Sequence, residues 1–275
     1  MASATHPTLE EARTLLEAAT SLLERAIEAG RKLTGNGKQI DDHQVATERI
    51  AYAATEAVAA HEVLVSAESI RAEGRSTAGL EMTAVGAVGQ LVSGLLGRLS
   101  ESVDELGIGD AAVEASFPAK MRSLLRRANG EALCREVGSL IIASRGIDDY
   151  PLDEMHEQVR EQVRDFAANE IMPHAEHIHR GDELVPEEFI TKMAELGFFG
   201  LSVPEEYGGV EMGNLAMILT TEELSRASLA AAGSLITRPE ILTKALMGGG
   251  TEEQKSHWLP KLASGEIMVG ISVTE

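Results

Sequence analysis

Apolar residues recur at intervals of three and four along nearly the whole sequence, and this spacing constrains the fold more than any other feature. Thr8 and Glu11 have the spacing of a helix-capping box. Behind them, one helix face carries Ala12, Leu15, Leu16, Ala19, Leu22, Leu23, Ala26 and Ile27. Aromatic residues are only 3% of the chain, and small aliphatic residues suit helices packed closely on helices. The sequence therefore predicts a mostly α protein.

Residues 1–150 are predicted to form an up-and-down helical bundle. The first helix ends near Gly30, and the later helices are expected from about Asp41 to Gly74, Ser76 to Leu106, Asp110 to Ala128 and Glu131 to Ser144. The third helix carries five glycines, each of which weakens a helix by up to ~1 kcal/mol relative to alanine. We therefore expect neighbouring helices to approach it closely. Its most apolar stretch, residues 82–96, is shorter than the ~20 residues of a bilayer span and is expected to be buried.

A change in the sequence near residue 150 predicts a domain boundary. Gly146 ends a helix, and the residue before Pro151 resists helical geometry. We expect a helical extension of unknown role over residues 1–150, a second helical domain over 151–265 and the start of a β-domain over 266–275. The β-domain is expected because the chain alternates apolar residues at Ile267, Val269, Ile271 and Val273.

Charge and cysteine content exclude several classes of function. The formal net charge is −20, with 44 acidic against 24 basic residues, so nucleic acids and anionic membranes are poor partners. No basic and apolar leader opens the chain. Cys134 is the one cysteine, which fits a reducing compartment such as the cytoplasm. It shares a helical stripe with Leu133 and Val137 and is expected in the core.

Two groups of side chains could carry chemistry by residue type alone. His174, His177 and His179 are dense enough for a metal site, but their spacing after Pro173 favours a solvated helix end. The acidic pairs could supply a general acid and base, although their contexts favour surface or capping roles; they are Glu205-Glu206, Glu222-Glu223 and Glu252-Glu253. No phosphate-binding loop follows a strand.

Residues 151–275 resemble the amino-terminal part of an acyl-CoA dehydrogenase. The matching segments come in the family's order: Asn169-Glu-Ile-Met-Pro173, Glu195-Leu-Gly-Phe-Phe-Gly200, Val203-Pro-Glu-Glu-Tyr-Gly-Gly209, Glu222-Glu-Leu-Ser-Arg226, Gly250-Thr-Glu-Glu-Gln-Lys255, Trp258-Leu-Pro-Lys-Leu-Ala-Ser-Gly-Glu266 and Val273-Thr-Glu275. The resemblance implies an amino-terminal α-domain, a middle β-domain and a carboxy-terminal bundle. It also implies FAD as cofactor, an electron-transfer flavoprotein as electron acceptor, and a homodimer or homotetramer.

The resemblance also implies roles for particular residues. Ile271, Val273 and Thr274 should line the flavin ring, with the Thr274 hydroxyl as the best hydrogen-bonding candidate; the alternative for Ile271 and Val273 is ordinary strand core. The family's catalytic glutamate should lie beyond Glu275. We therefore expect no catalytic residue in this stretch and no turnover by it alone.

Arg238 is the candidate substrate-binding residue, because the helix that carries it borders the acyl pocket in the family. A guanidinium there would suit a substrate that ends in a carboxylate; the alternative is an exposed arginine, or one paired with Glu240. A long helical extension before this sequence resembles the family members that oxidise (2S)-methylsuccinyl-CoA to mesaconyl-CoA in the ethylmalonyl-CoA pathway, and a dicarboxylic substrate agrees with that resemblance. Glutaryl-CoA, a branched acyl-CoA, or a non-catalytic scaffold whose extension binds a partner remain alternatives.

Overall fold

The computed structural model describes residues 6–144, 152–270 and 272. The chain divides into two compact units, unit 1 (Met1–Pro151) and unit 2 (Leu152–Glu275). All regular secondary structure in the described residues is α-helical, 3-10 helical or π-helical. The mostly α prediction is confirmed.

Unit 1 is a helical bundle built around three long helices. Its elements are α1 (Leu9–Leu33), α2 (Gln44–Ala72), α3 (Ala78–Ser100), α4 (Val103–Leu106), α5 (Asp110–Ser116), α6 (Ala119–Ala128) and α7 (Glu131–Ala143). The predicted Thr8–Glu11 capping box begins α1, and the apolar face of α1 is buried in one continuous core with α2 and α3. Helices α6 and α7 pack on α3.

Three predicted helix bounds in unit 1 were wrong. Helix α2 begins at Gln44, after a 3-10 turn over Ile40–His43, and no aspartate caps it. The long third helix stops at Ser100, and α4 follows as a separate short element. The predicted helix over residues 110–128 is divided at Phe117, because a residue before proline resists helical geometry.

Helix α3 is the central helix of unit 1. A Cβ at Gly89 would lie 2.8 Å from Ala128 Cβ on α6, and one at Gly94 would lie 2.6 Å from a Glu56 carboxylate oxygen on α2, so these two glycines permit the close approach that was predicted. A Cβ at Gly97 would meet no atom within 4 Å. The apolar stretch read from the sequence, residues 82–96, was too short for a bilayer span, but α3 as a whole has 23 residues and is long and apolar enough to cross a membrane. Its contacts with α1, α2, α6 and α7 are those of a bundle core.

Unit 2 is a second helical assembly. Its helices are α8 (Glu154–Phe166), α9 (Met172–Gly181), α10 (Glu187–Glu195), α11 (Gly213–Ser228), α12 (Ser234–Gly249) and α13 (Glu252–Ala263). One core cluster joins α8 to α12, and a smaller one packs α13 against Val203. Short 3-10 turns over Phe198–Gly200 and Glu205–Tyr207 lie in the irregular segment before α11.

Two π-helical segments replace the helix ends that were predicted at prolines. Over Ala167–Ile171, the Met172 N–H donates to the Ala167 carbonyl five residues back, and the wider turn gives the Pro173 ring room at the start of α9. The second segment, Leu229–Gly233, leads into α12, which continues through Pro239. The proline at position 239 therefore does not end the helix.

The strand predicted over residues 266–275 is not formed in its described part, residues 266–270 and 272. A strand needs a hydrogen-bonding neighbour, and the described residues offer none. Ile267 and Val269 instead pack against the cluster that contains Val203 and Leu259. Ile271 and Val273 lie outside the described residues.

Candidate functional site

Helix α12 presents one cation and a row of apolar or small residues on one exposed face. Arg238, Ile241, Ala245 and Gly248 are all exposed and are spaced three or four residues apart, so they lie above one another along the helix. Within the described residues, no hydrogen bond or ion pair engages Arg238. Its guanidinium is therefore available to a carboxylate next to an apolar surface.

The opposite face of α12 is buried and includes two polar residues, Glu240 and Thr243. Glu240 is 7% exposed, and its Oε1 lies 2.7 Å from Lys244 Nζ in an ion pair without hydrogen-bond geometry. Arg238 is therefore not paired with Glu240; it is exposed, which the sequence left open as the other alternative to a substrate-binding role. Thr243 is 2% exposed, and its hydroxyl has no hydrogen-bond partner in the described part of the chain. The sequence offered no signal for this buried face, because Glu240 and Thr243 look like surface residues.

A buried ion pair joins α8 to α11. Arg164 makes a two-pronged contact with Glu223, in which its Nε lies 3.1 Å from Oε2. Glu223 is only 4% exposed, and the bonds to its carboxylate raise the pKa of Arg164. Arg226 Nε lies 3.7 Å from the same carboxylate. Glu223 was expected at the surface or at a helix cap, and that expectation was wrong.

Tyr207 attaches the loop before α11 to the start of α13. Its hydroxyl donates to Glu252 Oε2 at 2.9 Å, and this bond raises the pKa of Tyr207. Glu252 also accepts from Lys255 at 2.7 Å, and the two bonds lower the pKa of Glu252. At Gly209 a Cβ would lie 1.9 Å from the Val203 carbonyl oxygen, so only glycine lets the loop close here. The Val203–Gly209 segment that carries the family resemblance is thus a fixed loop.

The residues predicted to line a flavin, Ile271, Val273 and Thr274, lie outside the described residues. The described segment that precedes them in sequence is held by contacts within unit 2. Ile267 N–H donates to the Lys261 carbonyl at 3.3 Å, and Gly265 turns the chain with a φ of +71°. A Cβ at that glycine would lie 2.9 Å from Ala194 Cβ, so α10 and the end of α13 are closely packed there.

The histidines and the cysteine that the sequence singled out do not form a site in the described residues. The three histidines lie on α9, where His177 Nε2 is 3.1 Å from Glu183 Oε1 and the His174 ring packs 5.8 Å from the Phe189 ring. The described residues contain no cluster of three potential metal ligands. Cys134 is exposed and not in the core, because α7 packs on α3 and the only residue that it buries is Leu133.

Comparison with known proteins adds to this geometry. The family model described as acyl-CoA dehydrogenase, N-terminal domain, matches residues 153–266. The chain is similar to a (2S)-methylsuccinyl-CoA dehydrogenase of Cereibacter sphaeroides, with 33% identity over 272 residues, 97% of this chain and 49% of that protein. This relative is matched through unit 1 as well as unit 2.

Other relatives match only about the length of unit 2. An acyl-CoA dehydrogenase of Bacillus subtilis is 40% identical over 117 residues, 42% of this chain and 31% of the relative. A glutaryl-CoA dehydrogenase of Desulfococcus multivorans is 34% identical over 129 residues, 46% of this chain and 33% of the relative. The chain thus spans between 31% and 49% of the length of these three relatives. Its unit 2 belongs to the acyl-CoA dehydrogenase family as that family's N-terminal domain.

Proposed function

We propose that the full-length protein is an FAD-dependent enzyme that dehydrogenates an acyl-CoA thioester, with (2S)-methylsuccinyl-CoA as substrate and mesaconyl-CoA as product. Support for the substrate comes from a relative that is named for it and matches 97% of the chain. The ethylmalonyl-CoA pathway, an electron-transfer flavoprotein as acceptor, a homodimer or homotetramer, and a cytoplasmic location are parts of the same proposal.

The observation that carries the substrate class is the free, exposed guanidinium of Arg238 beside the apolar residue Ile241. A dicarboxylic thioester needs a cation for its distant carboxylate and apolar surface along its short carbon chain. Arginine presents a planar pair of donors that matches a carboxylate. Arg238 would bind that end of the substrate and orient the carbons that lose hydrogen.

FAD, when bound, would accept the hydride from the substrate's β-carbon. Thr274 can donate to or accept from a polar edge of the flavin ring, and the side chains of Ile271 and Val273 suit its apolar face. Ile267 and Val269, which precede these residues in sequence, pack against the cluster that contains Val203 and Leu259. By residue type alone, Ile271, Val273 and Thr274 suit a flavin.

The family resemblance supports a base for the α-proton that lies outside this chain. Glu223 and Glu240 are the described buried carboxylates, and each already faces a cation, Arg164 and Lys244 respectively. Neither carboxylate is therefore proposed as the base.

The test compares Arg238→Met with wild type in the full-length protein, using an artificial electron acceptor. For (2S)-methylsuccinyl-CoA and glutaryl-CoA, we expect KM to rise about 10- to 100-fold, the value of hydrogen bonds to a charged group. KM for isovaleryl-CoA, which has no second carboxylate, should stay within about twofold of wild type. Arg180→Met is the control, since Arg180 is an exposed arginine that pairs with Glu176 within α9.

An unchanged preference between the dicarboxylic and monocarboxylic thioesters would remove Arg238 from substrate binding. Purified full-length protein that shows no visible flavin absorbance and oxidises none of the three thioesters would instead favour a non-catalytic scaffold.

A further inference from the structure

A cavity of about 930 Å³ opens in unit 1 between α2, α3 and α7. Small residues line part of it, among them Ala67, Gly79, Ala84 and Ala87. The larger apolar side chains that line it are Val63, Ile70, Leu80, Val137, Leu140 and Ile141. The volume lies within the range of about 300–1,000 Å³ that is typical of small-molecule sites, and the apolar lining is typical of them too.

Helix α7 contacts α3 near both of its ends: a Cβ at Gly86 would lie 3.7 Å from Leu133, and one at Gly79 would lie 3.0 Å from Leu140. Leu133 is buried, whereas Leu140 and Ile141, which line the cavity, are 43% and 49% exposed. An apolar ligand that filled the cavity would remove these side chains from water, which favours binding.

The polar residues of the lining favour a ligand with a positive charge. Glu62 is the one charged residue among the described residues that line the cavity. Ser66 lies one turn further along the same face of α2, and in the part of the chain that the structure describes neither side chain has a hydrogen-bond or ion-pair partner. Unit 1 carries 15 basic and 22 acidic residues over positions 1–150, a net charge of −7. Anionic ligands, including a phosphate-bearing thioester, are therefore disfavoured.

We propose that this cavity binds a cationic amphiphile, with an aliphatic chain in the apolar groove and a protonated amine at Glu62 and Ser66. The site is separate from the residues proposed for acyl-CoA oxidation, all of which belong to unit 2.

The experiment measures displacement of the neutral dye Nile red from the full chain by three ligands with the same tail, each below its critical micelle concentration. The ligands are decylamine, decanol and decanoate. We expect Nile red to bind, and the amine to displace it at about fivefold lower concentration than the carboxylate, as an exposed ion pair allows. Glu62→Gln should reduce that preference to less than about twofold.

Ala87→Phe tests the location, because a phenyl group at Ala87 would fill part of the groove. We expect it to weaken Nile red binding about tenfold, while Ala51→Phe, at an exposed alanine of α2 outside the cavity, leaves binding unchanged. Far-UV circular dichroism checks that each variant is folded, and Glu62→Gln gives an independent result if Ala87→Phe is not. Absence of dye binding, equal effects of the two phenylalanines, or a carboxylate that binds as well as the amine would overturn the proposal.

Discussion

Replacing Arg164 with methionine would leave the Glu223 carboxylate buried without its two-pronged partner. Breaking a buried ion pair by removing one partner costs about 3–5 kcal/mol, because an uncompensated charge stays in a low-dielectric site. We take the lower end, about 3 kcal/mol, because Arg164 is 28% exposed and Arg226 lies 3.7 Å from the same carboxylate. Methionine keeps most of the apolar volume of the arginine side chain.

The assay is urea unfolding followed by the fluorescence of Trp258. This residue is the one tryptophan of the chain and lies in α13, so its signal reports on unit 2. With a slope of roughly 1–3 kcal/mol per M of urea, a loss of 3 kcal/mol lowers the midpoint by about 1–3 M. Arg180→Met is the matched control, because both members of its ion pair are about four-fifths exposed and such pairs contribute less than about 1 kcal/mol.

A double variant separates the cost of the buried charge from the loss of packing. The double variant Arg164→Met, Glu223→Leu should be more stable than Arg164→Met alone. A midpoint shift no larger than that of Arg180→Met, or additive effects in the double variant, would refute the reasoning.

The remaining predictions follow from single contacts. Tyr207→Phe should lower the urea midpoint, followed by Trp258 fluorescence, by less than Arg164→Met does. Because the pKa of Tyr207 is raised in the folded state, the stabilisation from its bond to Glu252 should be present below pH ~10 and lost above it. Gly233→Ala should destabilise unit 2 by about 1–3 kcal/mol, since its Cβ would lie 2.1 Å from Ser225 Oγ, while Gly248→Ala, whose Cβ meets nothing within 4 Å, should not lower the urea midpoint. In unit 1, thermal melting followed by circular dichroism should show that Gly89→Ala lowers the free energy of unfolding by about 1–3 kcal/mol, because its Cβ would clash with Ala128. Gly97→Ala should raise the free energy of unfolding by up to ~1 kcal/mol through helix propensity. Equal effects of Gly233→Ala and Gly248→Ala, or of Gly89→Ala and Gly97→Ala, would contradict these contacts.

Helical spacing predicted the long helices well, because each buries one apolar face. The face of α1 that was read from the sequence is the face that is buried. The ends of helices were less predictable, since they depend on local backbone geometry. Pro173 lies at the start of α9, where its missing N–H leaves no helical bond unmade, whereas Pro239 lies inside α12 without ending it.

Buried charges and an exposed cysteine could not be read from the sequence. Glu223 and Glu240 are buried because cations on α8 and α12 reach them, and Arg164 is 59 positions away from Glu223. No local pattern contains that pairing. Cys134 has apolar neighbours at helical spacing, but α7 packs on α3 so that Leu133 is buried and Cys134 is exposed.

The π-helical segment Leu229–Gly233 sets the rotational phase of α12. Adding or removing one residue there turns every later side chain of the helix by about 100° around its axis. A single-residue insertion would therefore move Arg238 to the position now held by the buried Pro239 and Glu240 to the position now held by the exposed Ile241. The number of residues in this five-residue segment thus decides which side chains of α12 face outward, and a change in its length would change that exposed face without altering any residue of α12.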